Sequence, residues 1–399
     1  MQVTQSTHPV QVRKINIQPL PVLIMSSVAL LVVGVVMISS ASMDMAAVTM
    51  DNAYHYVIRQ VIFAAMGGVT ALVAVNVPVS WWERSGWLLL AVGMVSLALM
   101  MTPLALTVNG STRWLPVGLF NVQVSEIAKL CLIAYLAGYV VRRRDELLNT
   151  WWGFFRPLIV LGLATGLLMM QPDFGATVVL VTAAAAMIFL SGVRLSRFVP
   201  LIMGLAVIGT ALVVSEPYRL KRVVSYLDPW QDQFNTGYQL TQSLIAFGRG
   251  EWTGVGLGNS IQKLFFLPEA HTDFIFSILS EEFGLLGSMF VLLLFVALVV
   301  SGFVIARRAE KAKMPFAACF SYGISMLIGL QAGINMAVST GLLPTKGLTL
   351  PLVSYGGSSL LVTCVCIGIL ARVELERLDR EKVKSGQQTG KQRGGAAYD

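Results

Sequence analysis

GRGEWTGVGLGNSIQKLFFLPEAHTDFIFSILSEE, residues 248–282, closes the one long polar segment of an otherwise apolar chain. It joins a glycine-rich stretch, a lysine and a Leu-Pro-Glu to a His-Thr-Asp that opens a long apolar run. The run covers 272–305, which is too long for one upright membrane span, since about 20 residues cross the hydrocarbon core. Counting back from Arg307 puts the outer boundary of that span near Leu286, with Gly284 and Gly287 as places for a bend. Asp273 then stands at the outer interface. Two readings of it are open: a first-turn acid or cap of the following helix, or a general base within reach of a lipid head group.

The rest of the chain supplies a membrane frame. Of its 399 residues, 55% are hydrophobic and only 13% charged, about half the charge of a soluble domain. Apolar runs occupy 20–39, 54–77, 87–106, 126–141, 157–170, 174–191, 198–215, 272–305, 316–343 and 347–371. The fold class expected is an all-α polytopic membrane protein of about ten transmembrane helices. A large, partly ordered loop, 216–271, separates the seventh from the eighth. Residues 1–19 form an N-terminal tail, 20–371 the transmembrane domain and 372–399 a C-terminal tail. The first apolar run is long and lacks a cleavage motif, so no removable signal peptide is expected.

The net charge of +8 does not point to nucleic acid. With the N-terminus inside, 20 of the 29 lysines and arginines fall on the inner side and seven on the outer. That bias is the positive-inside rule and places both termini in the cytoplasm. The four cysteines lie in apolar runs and the three histidines are scattered, so neither a disulfide framework nor a metal motif is expected.

The outer loop is far longer than an ordinary connection, and such loops are usually functional or disordered. Its aromatic content argues against disorder. Residues 237–248 have helical apolar spacing and suit the membrane surface. GVGLG, 254–258, is not a dinucleotide fingerprint, and no phosphate-loop motif occurs.

Five further features carry chemistry. Glu126 and Lys129 are three apart on one helix and can pair; in a span such a pair marks either a functional site or a packing device. Arg59, inside a run, is expected to pair with an acid on a neighbouring span. Arg113, in NGSTRW, is an outer arginine suited to a phosphate or to anchoring. Asp173, in QPDFG, reads as a helix cap. LPTKGLTLPLVSYGGSS, 343–359, is an interrupted entry into the last span, a feature tolerated where backbone lines a cavity or is buried in protein. On residues alone, a transporter and an enzyme acting on a lipid-linked substrate remain equally open.

GSTRW (110–114), SEIAK (125–129), QPDFG (171–175), LPEAHTDFIFSILSEEFG (267–284) and PTKGLTLPLVSYGGSSL (344–360) together resemble the SEDS family, for shape, elongation, division and sporulation. PTKGLTLP and the extended tails resemble its division branch rather than its elongation branch. The resemblance implies a peptidoglycan glycosyltransferase. It would polymerise lipid II, a disaccharide-pentapeptide on undecaprenyl pyrophosphate, at the outer face of the bacterial inner membrane, during septal synthesis. The family's essential aspartate corresponds to Asp273 and its intramembrane pair to Glu126 and Lys129. For the leaving pyrophosphate the candidate cations are Lys129, Arg113, Arg249 and Lys263. An α-linked donor giving a β-linked glycan implies inversion, with no covalent enzyme intermediate. No cofactor is required by this chemistry, and a divalent cation is left open. The implied partners are lipid II, a class B penicillin-binding protein, other divisome membrane proteins and membrane lipid. A lipid II flippase and a non-catalytic scaffold are the rival readings.

Overall fold

The computed structural model describes residues 18–103, 105–108, 111–118, 120–215, 226, 228–235, 237–345 and 347–395. The tail 1–17, the stretch of the outer loop carrying Arg219, Lys221 and Arg222, and Lys346 lie outside the described residues.

The chain is an all-α polytopic membrane protein. In order, its helices are α1 (Pro19–Thr49), α2 (His55–Asn76), α3 (Val79–Arg84), α4 (Gly86–Leu99), α5 (Val124–Arg142), α6 (Arg144–Asn149), α7 (Trp151–Met170), α8 (Phe174–Leu190), α9 (Phe198–Val214), α10 (Tyr238–Gly250), α11 (Ile275–Lys311), α12 (Pro315–Ser339) and α13 (Gly357–Gly395). Among the described residues, α1, α2, α5, α7, α11, α12 and α13 are long and apolar enough to cross a membrane, and α4, α8 and α9 are shorter apolar helices. These ten match the ten apolar runs. The short runs at 126–141 and 157–170 gain their length from flanking residues. The run at 87–106 stops as helix at Leu99, just before Thr102-Pro103, where proline cannot continue the ladder.

The helices wrap around α5, where 89% of the residues in its apolar stretch are buried, against 22% for α2. The closest partnerships are α2 with α13, α11 with α12, α1 with α11, and α4 with α5. At one end, Glu374 accepts from Arg308 at 3.1 Å and from Arg377 at 2.8 Å, tying α11 to α13. The last helix therefore does not end near 371; it continues into the expected C-terminal tail.

The sequence reading did not anticipate a sheet. Strands β1 (Leu106–Val108), β2 (Ser111–Val117) and β3 (Phe120–Gln123) form an antiparallel sheet in the order β1-β2-β3. Trp114 pairs with Leu106 on one side and Gln123 on the other. Threonine, valine and tryptophan suit a pleated surface. The sheet places Arg113 on a strand instead of a free loop.

Gly284 breaks α11 with φ +65° and ψ −162°, a backbone that favours glycine. The glycine-rich stretch of the outer loop fills the break. Amides of Val255 and Gly256 donate to the carbonyls of Glu281 and Glu282, both at 3.0 Å. Amides of Leu285 and Leu286 donate to Glu251 and Trp252 at 2.9 and 3.1 Å. GVGLG is thus a splice that satisfies an interrupted helix. The bend at Gly284 separates the part of α11 that precedes the expected outer boundary from the part that crosses.

The outer-loop helix at 237–248 is observed as α10, but it packs on protein. Ser243 sits 2.6 Å from Ser277 of α11 and donates to the Ser339 carbonyl of α12 at 2.6 Å.

Candidate functional site

Asp273 lies in the turn that leads into α11. The turn is wound on Glu269, whose carbonyl accepts from the amides of Thr272 and Phe274, each at 3.2 Å. Its carboxylate accepts from the Thr272 hydroxyl at 2.7 Å. The turn is fastened to two neighbouring segments. Tyr355 donates its amide to the His271 carbonyl at 3.0 Å. Asn335 of α12 donates its side-chain amide to the Asp273 carbonyl at 2.8 Å and to the Leu348 carbonyl at 2.5 Å.

The Asp273 main chain is therefore pinned, while its side chain is left available. The N-cap of α11 is Phe274 and no side chain caps the helix, so the capping role open to Asp273 is not the one it plays. The carboxylate is partly buried and lies against Gly347, where an added Cβ would sit 2.9 Å from Oδ2. Burial pushes the Asp273 carboxyl up to about 7, Glu269 and Asp173 add to the rise, and Arg113 opposes it. Loss of solvation and like charges both disfavour the ionised form. The group thus titrates near neutrality, where a general base works best.

Arg113, on β2, acts on this carboxyl through its charge. Its Nη2 donates to the Pro172 carbonyl at 2.5 Å, and its Nη1 is 3.9 Å from Asp173 Oδ1. Asp173 caps α8, accepting from the Ala176 amide at 3.1 Å, as its position in QPDFG suggests. Its neighbour Gly175 packs on Leu348. Arg113, Asp173 and Gly347, far apart in sequence, thus come together around the Asp273 carboxyl. Among the described candidate cations, only Arg113 acts on that carboxyl electrostatically.

Glu126 and Lys129 form a second cluster. The lysine is fully buried; it donates to Glu126 at 2.9 Å and to Gln331 of α12 at 2.8 Å. Gln331 in turn faces Ser359 at 3.2 Å and the Thr349 carbonyl at 3.3 Å. The pair expected from spacing is present, enclosed by protein.

Lys263 and Arg249 form a third cluster, at the break in α11. Lys263 is buried and donates to Glu282 at 3.2 Å, Ser40 at 3.0 Å and the Gly258 carbonyl at 2.8 Å. Arg249 donates to Glu281 at 3.1 Å. Glu281 also accepts from the Ser260 hydroxyl and the Ile261 amide. These two cations hold the outer loop onto α11 and α1. Both are candidate cations for the leaving pyrophosphate, and each is paired with a buried glutamate. Arg59 departs from expectation. It is exposed one turn into α2, and among the described residues no carboxylate lies within ion-pair distance of it.

Sequence reasoning passed over Gln331, Asn335 and Gly347. The signal for the first two was available: two amides four residues apart in the run 316–343, where polar groups are expensive. Among the described residues, no cluster of three His, Cys, Asp or Glu side chains is arranged to hold a metal ion.

The fold and sequence have clear counterparts. A family model described as "Cell cycle protein", covering FtsW, RodA and SpoVE, matches residues 21–378. The chain is 77% identical over 384 residues to the "Probable peptidoglycan glycosyltransferase FtsW" of Marinobacter nauticus, covering 96% of each chain. It is 52% identical to the protein of the same name from Hahella chejuensis, covering 93% of this chain and 94% of that one. Among solved structures, it superposes with a TM-score of 0.74 and 25% identity on a chain from "Structural coordination of polymerization and crosslinking by a peptidoglycan synthase complex", covering 89% of this chain and 97% of that one. The rod shape determining protein RodA of Thermus thermophilus gives 0.66 at 24% identity, with 89% and 96% covered, a likeness of fold. The chain belongs to the FtsW, RodA and SpoVE family of cell cycle proteins.

Proposed function

We propose that the protein is a peptidoglycan glycosyltransferase that polymerises lipid II into glycan strands at the outer face of the inner membrane, with Asp273 as general base. The relatives named above support the activity. The observation that carries the residue assignment is the Asp273 carboxylate: main chain pinned, side chain capping nothing, pushed up to about 7 by burial and within the field of Arg113.

The chemistry follows from that arrangement. An acceptor sugar hydroxyl attacks the donor's anomeric carbon and loses its proton to Asp273. The bond to the pyrophosphate breaks on the opposite face, giving inversion in one displacement. The departing pyrophosphate gains charge, which a fixed cation stabilises. Arg113 is the described cation best placed for it. Lys129, Lys263 and Arg249, engaged with glutamates, support the site's framework.

The placement of basic residues supports cytoplasmic termini and an outer Asp273, and the FtsW-like sequence supports a septal role. A glycan polymerase needs a crosslinking partner, and a class B penicillin-binding protein fits. Leu286, Phe290, Leu293, Val296 and Val300 of α11 are exposed at helical spacing, a lipid-facing stripe on which a single partner helix can lie.

The test is glycan-chain formation by the purified full chain, with its transpeptidase partner, from lipid II already on the outer leaflet. Product from the wild type, lost in Asp273→Asn, supports the enzyme. Transfer of lipid II across the bilayer without polymer would favour a flippase, and neither activity a scaffold.

A further inference from the structure

Gln331 and Asn335 lie one helical turn apart on α12, so their side chains share a face. Both are buried, at 4% and 2% exposure. Each grips one of two consecutive carbonyls in the segment after α12. Asn335 Nδ2 donates to Leu348 O at 2.5 Å, and Gln331 Nε2 approaches Thr349 O at 3.3 Å. Each also reaches a second element. Asn335 Nδ2 donates to the Asp273 carbonyl at 2.8 Å, and Gln331 Oε1 accepts from Lys129 Nζ at 2.8 Å. The segment they hold carries Gly347, which borders the Asp273 carboxylate. Asn335 Oδ1 has no partner, so the residue is placed for its donors.

We infer that Asn335 is a positioning residue for Asp273, and that Gln331 connects the Glu126–Lys129 pair to the same device. This rests on the reading of Asp273 as general base. The buried ion pair then serves the reaction by fixing the 347–349 segment and α12, not by touching pyrophosphate. An amide that forks between two main-chain carbonyls sets the distance between their segments more tightly than apolar packing does. Apolar replacements also leave buried carbonyls unpaired. A misplacement near 1 Å can cost on the order of 10²-fold in rate.

The experiment measures kcat and KM for lipid II polymerisation by the full chain with its transpeptidase partner in liposomes. The variants are Asn335→Ala, Gln331→Met, their double, and the charge-neutral pair Glu126→Gln with Lys129→Met. The expected result for each single variant is a kcat lower by about 10- to 100-fold, with KM within about twofold. The double variant should be no slower than the product of the singles and closer to the worse one, because the two amides hold one segment. The charge-neutral pair should also lower kcat at constant KM. A raised KM with normal kcat in that pair would mean that Lys129 binds substrate, and would overturn the inference. Wild-type kcat in a folded Asn335→Ala would overturn it too. If the alanine variant does not fold, Asn335→Gln retains the amide but shifts it by a methylene; wild-type kcat there is equally fatal. Asp273→Asn, run in parallel, separates the two levels. If it is inactive while Asn335→Ala is normal, only this inference fails; if it polymerises normally, the base assignment and the inference fall together.

Discussion

Gly347 stands where any side chain would press on Asp273: a Cβ added there would lie 2.9 Å from Oδ2. The obstacle would be the end of a movable side chain, so the fold can yield at little cost. The carboxylate cannot yield without leaving its place. Gly347→Ala is therefore expected to keep its thermal midpoint and membrane insertion while losing about 10²-fold in polymerisation. Wild-type activity in this variant would show that the carboxylate has freedom to spare.

The ion pair of α5 makes a second prediction, on stability. Lys129 is fully enclosed, and its loss leaves Glu126 and Gln331 without their donor. Lys129→Met should cost about 3–5 kcal/mol, the usual penalty for stranding a buried charge. Adding Glu126→Gln removes the stranded charge and should recover most of that loss. Thermal unfolding in detergent of the single and paired variants checks both halves. A paired variant as unstable as the single one would mean that the charge is not what the site needs.

Much of the frame was legible because lipid imposes a simple rule. Ten apolar runs became ten apolar helices, and the excess length of 272–305 announced the break that falls at Gly284. Asp173 and the Glu126–Lys129 pair were legible because their partners are three residues away. Lys263 was not: it is held by Ser40 and Glu282, and no local spacing reveals a contact across 223 positions. The β-sheet was missed although Asn109-Gly110 between two β-branched runs is a strong hairpin signal, since the apolar run before it was read as continuous helix. Asp273 itself was readable as either cap or base. The placement of Phe274 as the N-cap of α11 takes the capping role from Asp273, and no local spacing could have shown it.

Orientation can be checked without any substrate. Basic residues cluster in the segments that carry Arg307, Arg308 and Lys311, and by the positive-inside rule the 228–271 segment is expected on the other side of the membrane. A cysteine introduced at Asp232 should react with a membrane-impermeant maleimide added outside intact cells, and one at Lys311 should not. Labelling of Lys311→Cys alone would invert the topology and remove Asp273 from the outer face.

The elevated proton affinity of Asp273 fixes the sign of a pH effect. A general base works when ionised, so kcat should rise with pH through about 7, the value to which burial and Glu269 push the carboxyl. Arg113 opposes that rise. Removing its charge in Arg113→Met should therefore move the acid limb to higher pH, besides lowering the rate through the leaving group. A limb that stays in place, or shifts to lower pH, would sever the link between Arg113 and Asp273.

Asp273→Asn brings these strands together, because stability and activity should move in different directions. The folded protein favours the protonated carboxyl, since its value of about 7 lies above the ordinary carboxylate range of an unfolded chain near 4. Its stabilising contribution is present below about 4 and is lost as pH rises through about 7. At pH 8 the ionised aspartate is thus a burden on the fold. Asparagine, neutral at every pH, should give a thermal midpoint at or above the wild type there, with the advantage shrinking by pH 5. Partner co-purification should be unchanged, since the main-chain bond from Asn335 persists. Polymerisation of lipid II should nevertheless fall by about 10²- to 10⁴-fold, the usual worth of a positioned base. Asp273→Glu retains the base but moves it by about a methylene, a misplacement that can cost on the order of 10²-fold, and should be severely impaired as well. Polymerisation and thermal unfolding measured on the same preparations decide the matter. A stable asparagine variant that still builds glycan at the wild-type rate would leave Asp273 without a chemical role.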